Sequence, residues 1–412
     1  MVEREQYMNK IDSFIDKDLI KVITGVRRSG KSYFFKLIIN ELMERGVNEE
    51  DILLIDFELP QYRHIKSSEE LDDLVLDFID SHTNKTYLFF DEIQNVSNWE
   101  LSINSYYKLS RSDIYVTGSN SKLLSKELAS FLTGRYVSIN MYPFSFNEFI
   151  DYKKEIGSEP IVKNELNSEL ENYFDEYFSY GGFPTVISSD NHKEIILNDL
   201  YSSIILNDIV SRYEIRNVGL FGRIIKFLME NIGNLISANS IYNYLKGKRI
   251  DITKSTIYNY LRYLESANIL SKITREDLVG KRAINGGEKY YLIDQGFYRS
   301  QLEIKQENTG RIIENIVYLE LLRRGYTVTI GCIGNYEVDF VCRRNKEKLY
   351  IQVAYYLTID ETVEREFKPL LRIKDNYPKY VLSMDKTDQS RQGIKHLNII
   401  QFLRSFDDIW FF

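Results

Sequence analysis

Cysteine is nearly absent from these 412 residues: only Cys332 and Cys342 occur, ten positions apart. A secreted fold stapled by disulfides needs more, and Met1-Val2-Glu3-Arg4 opens no apolar leader, so a reducing cytoplasm is the expected compartment. The four histidines, His64, His82, His192 and His396, show no metal-ligand spacing, and no zinc site is expected. No apolar run approaches the ~20 residues of a membrane-spanning helix. The most apolar tracts, such as Tyr87 to Phe90, are strand-sized, which excludes a membrane span. Basic charge is also in deficit, with 53 Lys+Arg against 60 Asp+Glu and a net charge of -7. Contact with nucleic acid therefore has to come from a local patch. Internal repeats and low-complexity tracts are missing too.

What is present is a folded composition: 43% hydrophobic, 27% charged and only 6 prolines. At about 100 to 200 residues per domain the length predicts two to four domains. From Leu19 to Ile150, short apolar runs alternate with helical stretches, the pattern of a parallel sheet covered on both faces. The runs are Leu19 to Thr24, Ile52 to Asp56, Tyr87 to Phe90 and Ile114 to Thr117, with helices over Ser32 to Arg45 and Ser68 to Ser81. Leu166 to Asn217 reads as helical, broken at Gly181-Gly182-Phe183-Pro184. Gly219 to Asp294 reads as three helices and a hairpin turning at Asn285-Gly286-Gly287. A last α/β stretch follows from Gly310, with β runs at Tyr326 to Ile330, Glu337 to Cys342, Leu349 to Val353 and Tyr380 to Met384.

The segment Gly25-Val26-Arg27-Arg28-Ser29-Gly30-Lys31-Ser32 follows a predicted strand and opens a predicted helix. That is the context in which G-x-x-x-x-G-K-[ST] wraps backbone N–H groups around phosphate oxygens. Lys31 would reach the β- and γ-phosphates of ATP and Ser32 would place its hydroxyl on Mg²⁺, while Arg27 and Arg28 add charge or are simply solvated. Asp91 and Glu92, at the tip of the Tyr87 to Phe90 strand, are the candidates for the Mg²⁺ shell and for orienting water. The next strand ends in Gly118-Ser119-Asn120-Ser121, where Ser119 or Asn120 would sense the γ-phosphate or the water, or merely form a turn.

With Thr117-Gly-Ser-Asn120, Thr133-Gly-Arg135, Pro143-Phe-Ser-Phe-Asn-Glu-Phe149 and Tyr180-Gly-Gly-Phe-Pro184 added, the chain resembles the prokaryotic AAA-type ATPases related to the STAND branch. That resemblance implies an α/β P-loop NTPase with the additional-strand (ASCE-type) parallel sheet, and ATP hydrolysis coupled to a change of shape. Carried over residue by residue, it puts Lys31 and Ser32 on nucleotide and Mg²⁺, Asp91 on Mg²⁺ and Glu92 on water. Arg135 resembles an arginine finger, acting across subunits through self-association; the other reading is a surface ion pair.

The expected layout is 1-150 for the ATPase core, 151-218 for a helical lid, 219-300 for a winged helix-turn-helix and 301-412 for a restriction-endonuclease-like α/β domain. In the third stretch Ile257, Tyr260, Leu261, Leu264 and Ala267 form the buried stripe, opposite Ser255, Asn259 and Arg262. Lys246 to Lys289 holds ten basic and five acidic residues, and Lys281, Arg282 and Lys289 would carry the wing to duplex DNA; a protein-binding platform is the alternative. In the last stretch Glu314, Glu337 and Asp339 resemble nuclease ligands, but Gln352 and Ala354 stand where a carboxylate and a lysine are usual. The expectation is a degenerate nuclease fold lacking its ammonium. The functional expectation is an ATP-driven switch; a non-hydrolysing nucleotide-dependent scaffold and an ATP-regulated nuclease are the alternatives.

Overall fold

The computed structural model describes residues 2–119, 132, 134–160, 168–189, 191–280, 283–357 and 359–405, in two compact units: Met1–Pro143 with Ser266–Asn268, and Phe144–Glu265 with Ile269–Phe412.

In the first unit a short helix α1 (Glu5–Asp12) precedes β1 (Ile20–Gly25), α2 (Lys31–Glu44), β2 (Ile52–Asp56), α3 (Ser68–Ser81), β3 (Thr86–Asp91), α4 (Trp99–Leu109), β4 (Ser112–Gly118) and β5 (Tyr136–Met141). The five strands form a wholly parallel sheet in the order β2-β3-β4-β1-β5. This is a P-loop NTPase fold, with β4 inserted between the strand that carries the phosphate loop and the strand that carries Asp91. β1 and β3 are buried along their whole length, which is why they read as continuous apolar runs. Helix α3 starts at a capping box formed by Ser67 and Glu70 and buries Leu71, Val75 and Ile79 at helical spacing. One core lies on that side, with Leu88, Phe90, Val116 and Ile103; the other face packs Phe34, Phe35 and Ile38 of α2 against Phe89 and Tyr115. The edge strand β5 escapes the sequence reading because Tyr136–Met141 is exposed at alternate positions near its end and offers no continuous apolar run.

The second unit begins with helices α5 (Phe146–Glu155), α6 (Glu169–Tyr180), α7 (Pro184–Ile187) and α8 (Lys193–Ser203), the last running into a π-helical segment, Ile204–Ser211. Two of the quoted motifs meet here. The Phe144 N–H donates to the Gly182 carbonyl at 2.8 Å, and the Tyr177 hydroxyl donates to the Phe144 carbonyl at 3.1 Å. Asp294, fully buried, accepts from the Gly182 and Gly296 N–H groups at 2.7 and 2.8 Å. A Cβ on Gly181 would fall 1.7 Å from an Asp294 oxygen, and one on Gly182 would fall 2.2 Å from the Phe144 carbonyl, so both glycines are required by this clasp.

Beyond it come α9 (Val218–Glu230), β6 (Leu235–Ile236), α10 (Ala238–Gly247), α11 (Lys254–Ser266), β7 (Leu270–Asp277) and β8 (Ala283–Leu292). They are followed by α12 (Gly296–Gln301), α13 (Gln306–Arg323), β9 (Thr327–Ile333), β10 (Tyr336–Arg344), β11 (Glu347–Val353), α14 (Asp360–Leu371), β12 (Lys379–Ser383), β13 (Lys395–Asn398) and α15 (Ile399–Arg404). One eight-stranded sheet runs through both stretches in the order β13-β12-β11-β10-β9-β7-β8-β6. The parallel pairing of β7 with β9 joins the hairpin to the last α/β segment. The Asn285-Gly286-Gly287 signal is a correction: the hairpin turns after Asp277, and the glycine pair lies inside β8. The register there jumps from Ile273↔Lys289 to Arg275↔Ile284, and Gly287 takes φ 76°. Glycine thus supplies a bulge rather than a turn. Among the described residues no helix is long and apolar enough to cross a membrane.

Candidate nucleotide site

The loop between β1 and α2 is built on glycine. Gly25 has φ 153°, and a Cβ there would sit 2.3 Å from the Met141 carbonyl; Gly30 has φ 99° and precedes the first turn of α2. Arg28 is also left-handed, at φ 64°, and is exposed, while Arg27 pairs at 2.8 Å with Glu58 on the surface. Arg27 is thereby placed in a solvated ion pair. The Ser29 hydroxyl is buried and has no hydrogen-bond partner among the described residues.

Lys31, 4% exposed, donates to the Gly25 and Val26 carbonyls at 3.2 and 3.3 Å and to Ser119 Oγ at 3.0 Å, and lies 3.4 Å from Glu92 Oε1. Ser119 in turn donates to Glu92 Oε1 at 2.6 Å, and its backbone N–H to Oε2 at 3.3 Å. Glu92 adopts φ 55°, a left-handed conformation that costs a non-glycine residue about 1–3 kcal/mol and is found where surrounding structure enforces it. Here the enforcing contact is the Glu92 N–H donated to Thr117 Oγ1 at 3.0 Å. Burial pushes the Glu92 carboxyl up, but Lys31, Ser119 and Gln94 outweigh it and hold the group below its ordinary range. Asp91 is the opposite case: burial raises it, against hydrogen bonds from Ser32 and Thr117. Two adjacent carboxylates are thus held in different environments.

The structure brings together Lys31, Ser32, Asp91, Glu92 and Ser119. Asn120 lies outside the described residues. Arg135 does not join them. Its carbonyl accepts from Ile20 N at 2.8 Å, at the start of β1, whereas the loop follows Gly25 at the other end. Five strand residues at about 3.3 Å each separate the two by roughly 17 Å. Its guanidinium donates to Asn104 at 2.6 Å and lies over the Tyr107 ring, so Arg135 is not part of its own chain's site. Two contributors went unread. Thr117 was visible in the quoted strand tip; Arg4 carried no signal, yet it is buried behind the loop and donates to the Ser29 and Tyr142 carbonyls at 3.1 and 2.8 Å.

The donor set fits a magnesium nucleotide. A hydroxyl and a carboxylate, Ser32 and Asp91, are the hard oxygen ligands Mg²⁺ takes, and the loop's glycines, the start of α2 and an ammonium suit phosphate.

In the second unit the outward face of α10 and α11 carries Tyr242, Lys246, Lys254, Tyr258, Asn259 and Arg262, with Tyr258 62% exposed and the Lys246 and Lys254 ammonium groups over the Tyr242 ring at 5.6 and 5.4 Å. Lys281 and Arg282 lie outside the described residues. Lys289 is a correction twice over. It is 3% exposed, so it is no wing contact for DNA, and its Nζ lies 2.9 Å from Glu314, 2.8 Å from Glu337 and 3.6 Å from Asp339. The ammonium expected to be missing beside Glu314, Glu337 and Asp339 is therefore present, delivered by β8 instead of β11.

The AAA domain family matches residues 17–150, and a domain of unknown function (DUF8612) matches residues 171–308. An uncharacterized protein of Haemophilus influenzae is 37% identical over 405 residues, covering 98% of either chain. One of Methanocaldococcus jannaschii is 37% identical over 355 residues, covering 85% of this chain and 77% of its own. Among solved structures, that of Cdc6p from Pyrobaculum aerophilum aligns at 12% identity over 76% of this chain and 93% of its own, with a TM-score of 0.31, too slight a likeness to carry argument.

Proposed function

This chain belongs to one family with its Haemophilus influenzae relative and carries an AAA domain over residues 17–150, and from that premise we propose that it hydrolyses ATP with Mg²⁺ and uses the cycle to switch its C-terminal elements between states. The observation that carries this reading is the convergence of Lys31, Asp91 and a strained, hydrogen-bonded Glu92 on one loop. Lys31 would hold the ground-state phosphates, and Ser32 with Asp91 would hold Mg²⁺, which neutralises phosphate charge. Glu92, released from Lys31 when the ammonium turns to phosphate, would orient the attacking water, with Ser119 steadying it. Arg135 would complete the site of a second copy.

For the partner we propose duplex DNA, docked by the α10–α11 face in the manner of a winged helix. Its exposed Tyr258 and its cations fit a groove and its phosphates, and the modest charge implies salt-sensitive, sequence-tolerant binding. The test is turnover of ATP with and without duplex DNA. Lys31→Ala abolishes nucleotide binding, whereas Glu92→Gln retains it and slows turnover by about 10²-fold or more. Equal loss of ATP affinity in both variants would remove Glu92 from this role, turnover indifferent to DNA would favour a protein-binding platform, and absent turnover would favour the non-hydrolysing scaffold.

A further inference from the structure

The carboxylate cluster of the last α/β segment is arranged around a point already filled. Glu314 comes from α13, Glu337 and Asp339 from β10, and all three face the Nζ of Lys289 on β8, at 2.9, 2.8 and 3.6 Å. Glu314 and Asp339 are oriented by contacts beyond Lys289. The Tyr291 hydroxyl, two residues along β8 on the same face, donates to the Glu314 oxygen that also receives Lys289. Asp339 Oδ2 accepts from the Val353 N–H at 2.9 Å, and the Asp339 N–H donates to Gln352 Oε1 at 3.2 Å. The cluster forms the floor of a cleft of about 840 Å³ whose walls include Arg311, Tyr355 and Glu366.

An ammonium carries three donors and one positive charge, and it meets three carboxylates here. The two nearer separations are those of charge-assisted N–H···O bonds, about 2.7–2.9 Å, whereas Mg²⁺ draws oxygens to about 2.1 Å and Ca²⁺ to about 2.3–2.6 Å. A buried ammonium in this position and a metal ion at the same point exclude each other by volume and by charge. A lysine that assisted a metal would stand beside the acidic centre; this one stands in it.

We propose that Lys289 is the resident cation of this cluster, its ammonium occupying the place of a divalent metal between Glu314, Glu337 and Asp339, so that the module binds no metal and cuts no DNA while Lys289 is there. The bulge at Gly287, two residues before Lys289, puts the strand in the register that delivers the side chain.

The full chain, free of nucleotide, is titrated with Mn²⁺, and bound metal is counted by electron paramagnetic resonance. The unmodified protein and Asp339→Asn bind the same number of Mn²⁺ ions. Lys289→Met gains one Mn²⁺ per chain, and Lys289→Met with Asp339→Asn loses it again. Mn²⁺ also raises the melting temperature of Lys289→Met but not that of the double variant. A folded Lys289→Met that gains no Mn²⁺ overturns the proposal. If Lys289→Met does not fold, the comparison of the unmodified protein with Asp339→Asn decides: one Mn²⁺ lost with Asp339 overturns the proposal, and none lost supports it. Cleavage of duplex DNA by the unmodified protein that vanishes in both Lys289→Met and Asp339→Asn also overturns it, by making Lys289 a partner of the metal.

Discussion

Asp294 makes the clasp between Phe144 and Gly182 dependent on pH. Burial pushes its carboxyl up to about 7 from the ordinary 3.8, against the two backbone N–H donors and Arg323, which favour the charged form. The folded state therefore holds a proton that the unfolded chain releases. Stability from this group is complete below pH ~4 and is lost as pH rises to about 7. At 1.36 kcal/mol per pH unit the whole interval amounts to about 4 kcal/mol. Between pH 5 and pH 8 about two of those units are crossed, or about 2.7 kcal/mol. Asn cannot titrate, so Asp294→Asn removes the slope while retaining one carbonyl acceptor for the two amides. The measurement is urea denaturation followed by circular dichroism at pH 5, 6, 7 and 8 on both proteins. Subtracting the variant's curve cancels every other titrating group shared by the two. The difference should fall by about 2.7 kcal/mol toward pH 8. A difference that stays flat across that range refutes the reasoning, because Asp294 would then be ionised throughout and its burial compensated by some other group.

Arg135→Ala should lower turnover roughly 10³-fold with little change in ATP affinity, and turnover of the unmodified protein should rise faster than linearly with its concentration. Steady-state kinetics over a range of protein concentrations checks both. Asp113→Ala should cost about 3–5 kcal/mol in chemical denaturation, since Asp113 pairs with the fully buried Lys21 and accepts from Tyr115 at 2.8 Å, and its loss leaves that ammonium uncompensated. Replacing Lys246, Lys254 and Arg262 together by Ala should flatten the log-log salt dependence of duplex binding by about 2.7, at about 0.9 per phosphate contact. Fluorescence anisotropy of the full chain across a salt series reads that slope.

The first unit was legible because its information is local. A strand buried on both faces is a continuous apolar run, and the phosphate loop is a contiguous pattern whose glycines are demanded by backbone angles at Gly25 and Gly30. Asp91 and Glu92 followed from their place at a strand tip. Arg4 could not be read, because the contact between Arg4 and Ser29 spans 25 positions and depends on where α1 packs. The hairpin was misplaced because two adjacent glycines mark a bulge as well as they mark a turn. Lys289 was misread because charge was summed along the chain. Such a sum treats a lysine buried among three carboxylates as equal to Lys246 or Lys254 on the surface.

The role proposed for Arg135 would tie hydrolysis to assembly. Transition-state charge on a γ-phosphate calls for a cation that can approach it, and three of the cations at the loop have other roles. Lys31 would hold the ground-state phosphates, Arg27 is paired with Glu58 at 2.8 Å, and Arg4 donates to two carbonyls behind the loop. Arg135 sits a strand's length from its own loop, beside the start of β1 at the other end of the strand, so as a finger it would serve a neighbouring copy's nucleotide. On this proposal a single copy would bind ATP well and turn it over slowly, and the step that accelerates hydrolysis would be the meeting of two surfaces. Whatever recruits copies to one another, DNA included, would then act as the switch's input, and the loop chemistry as its clock.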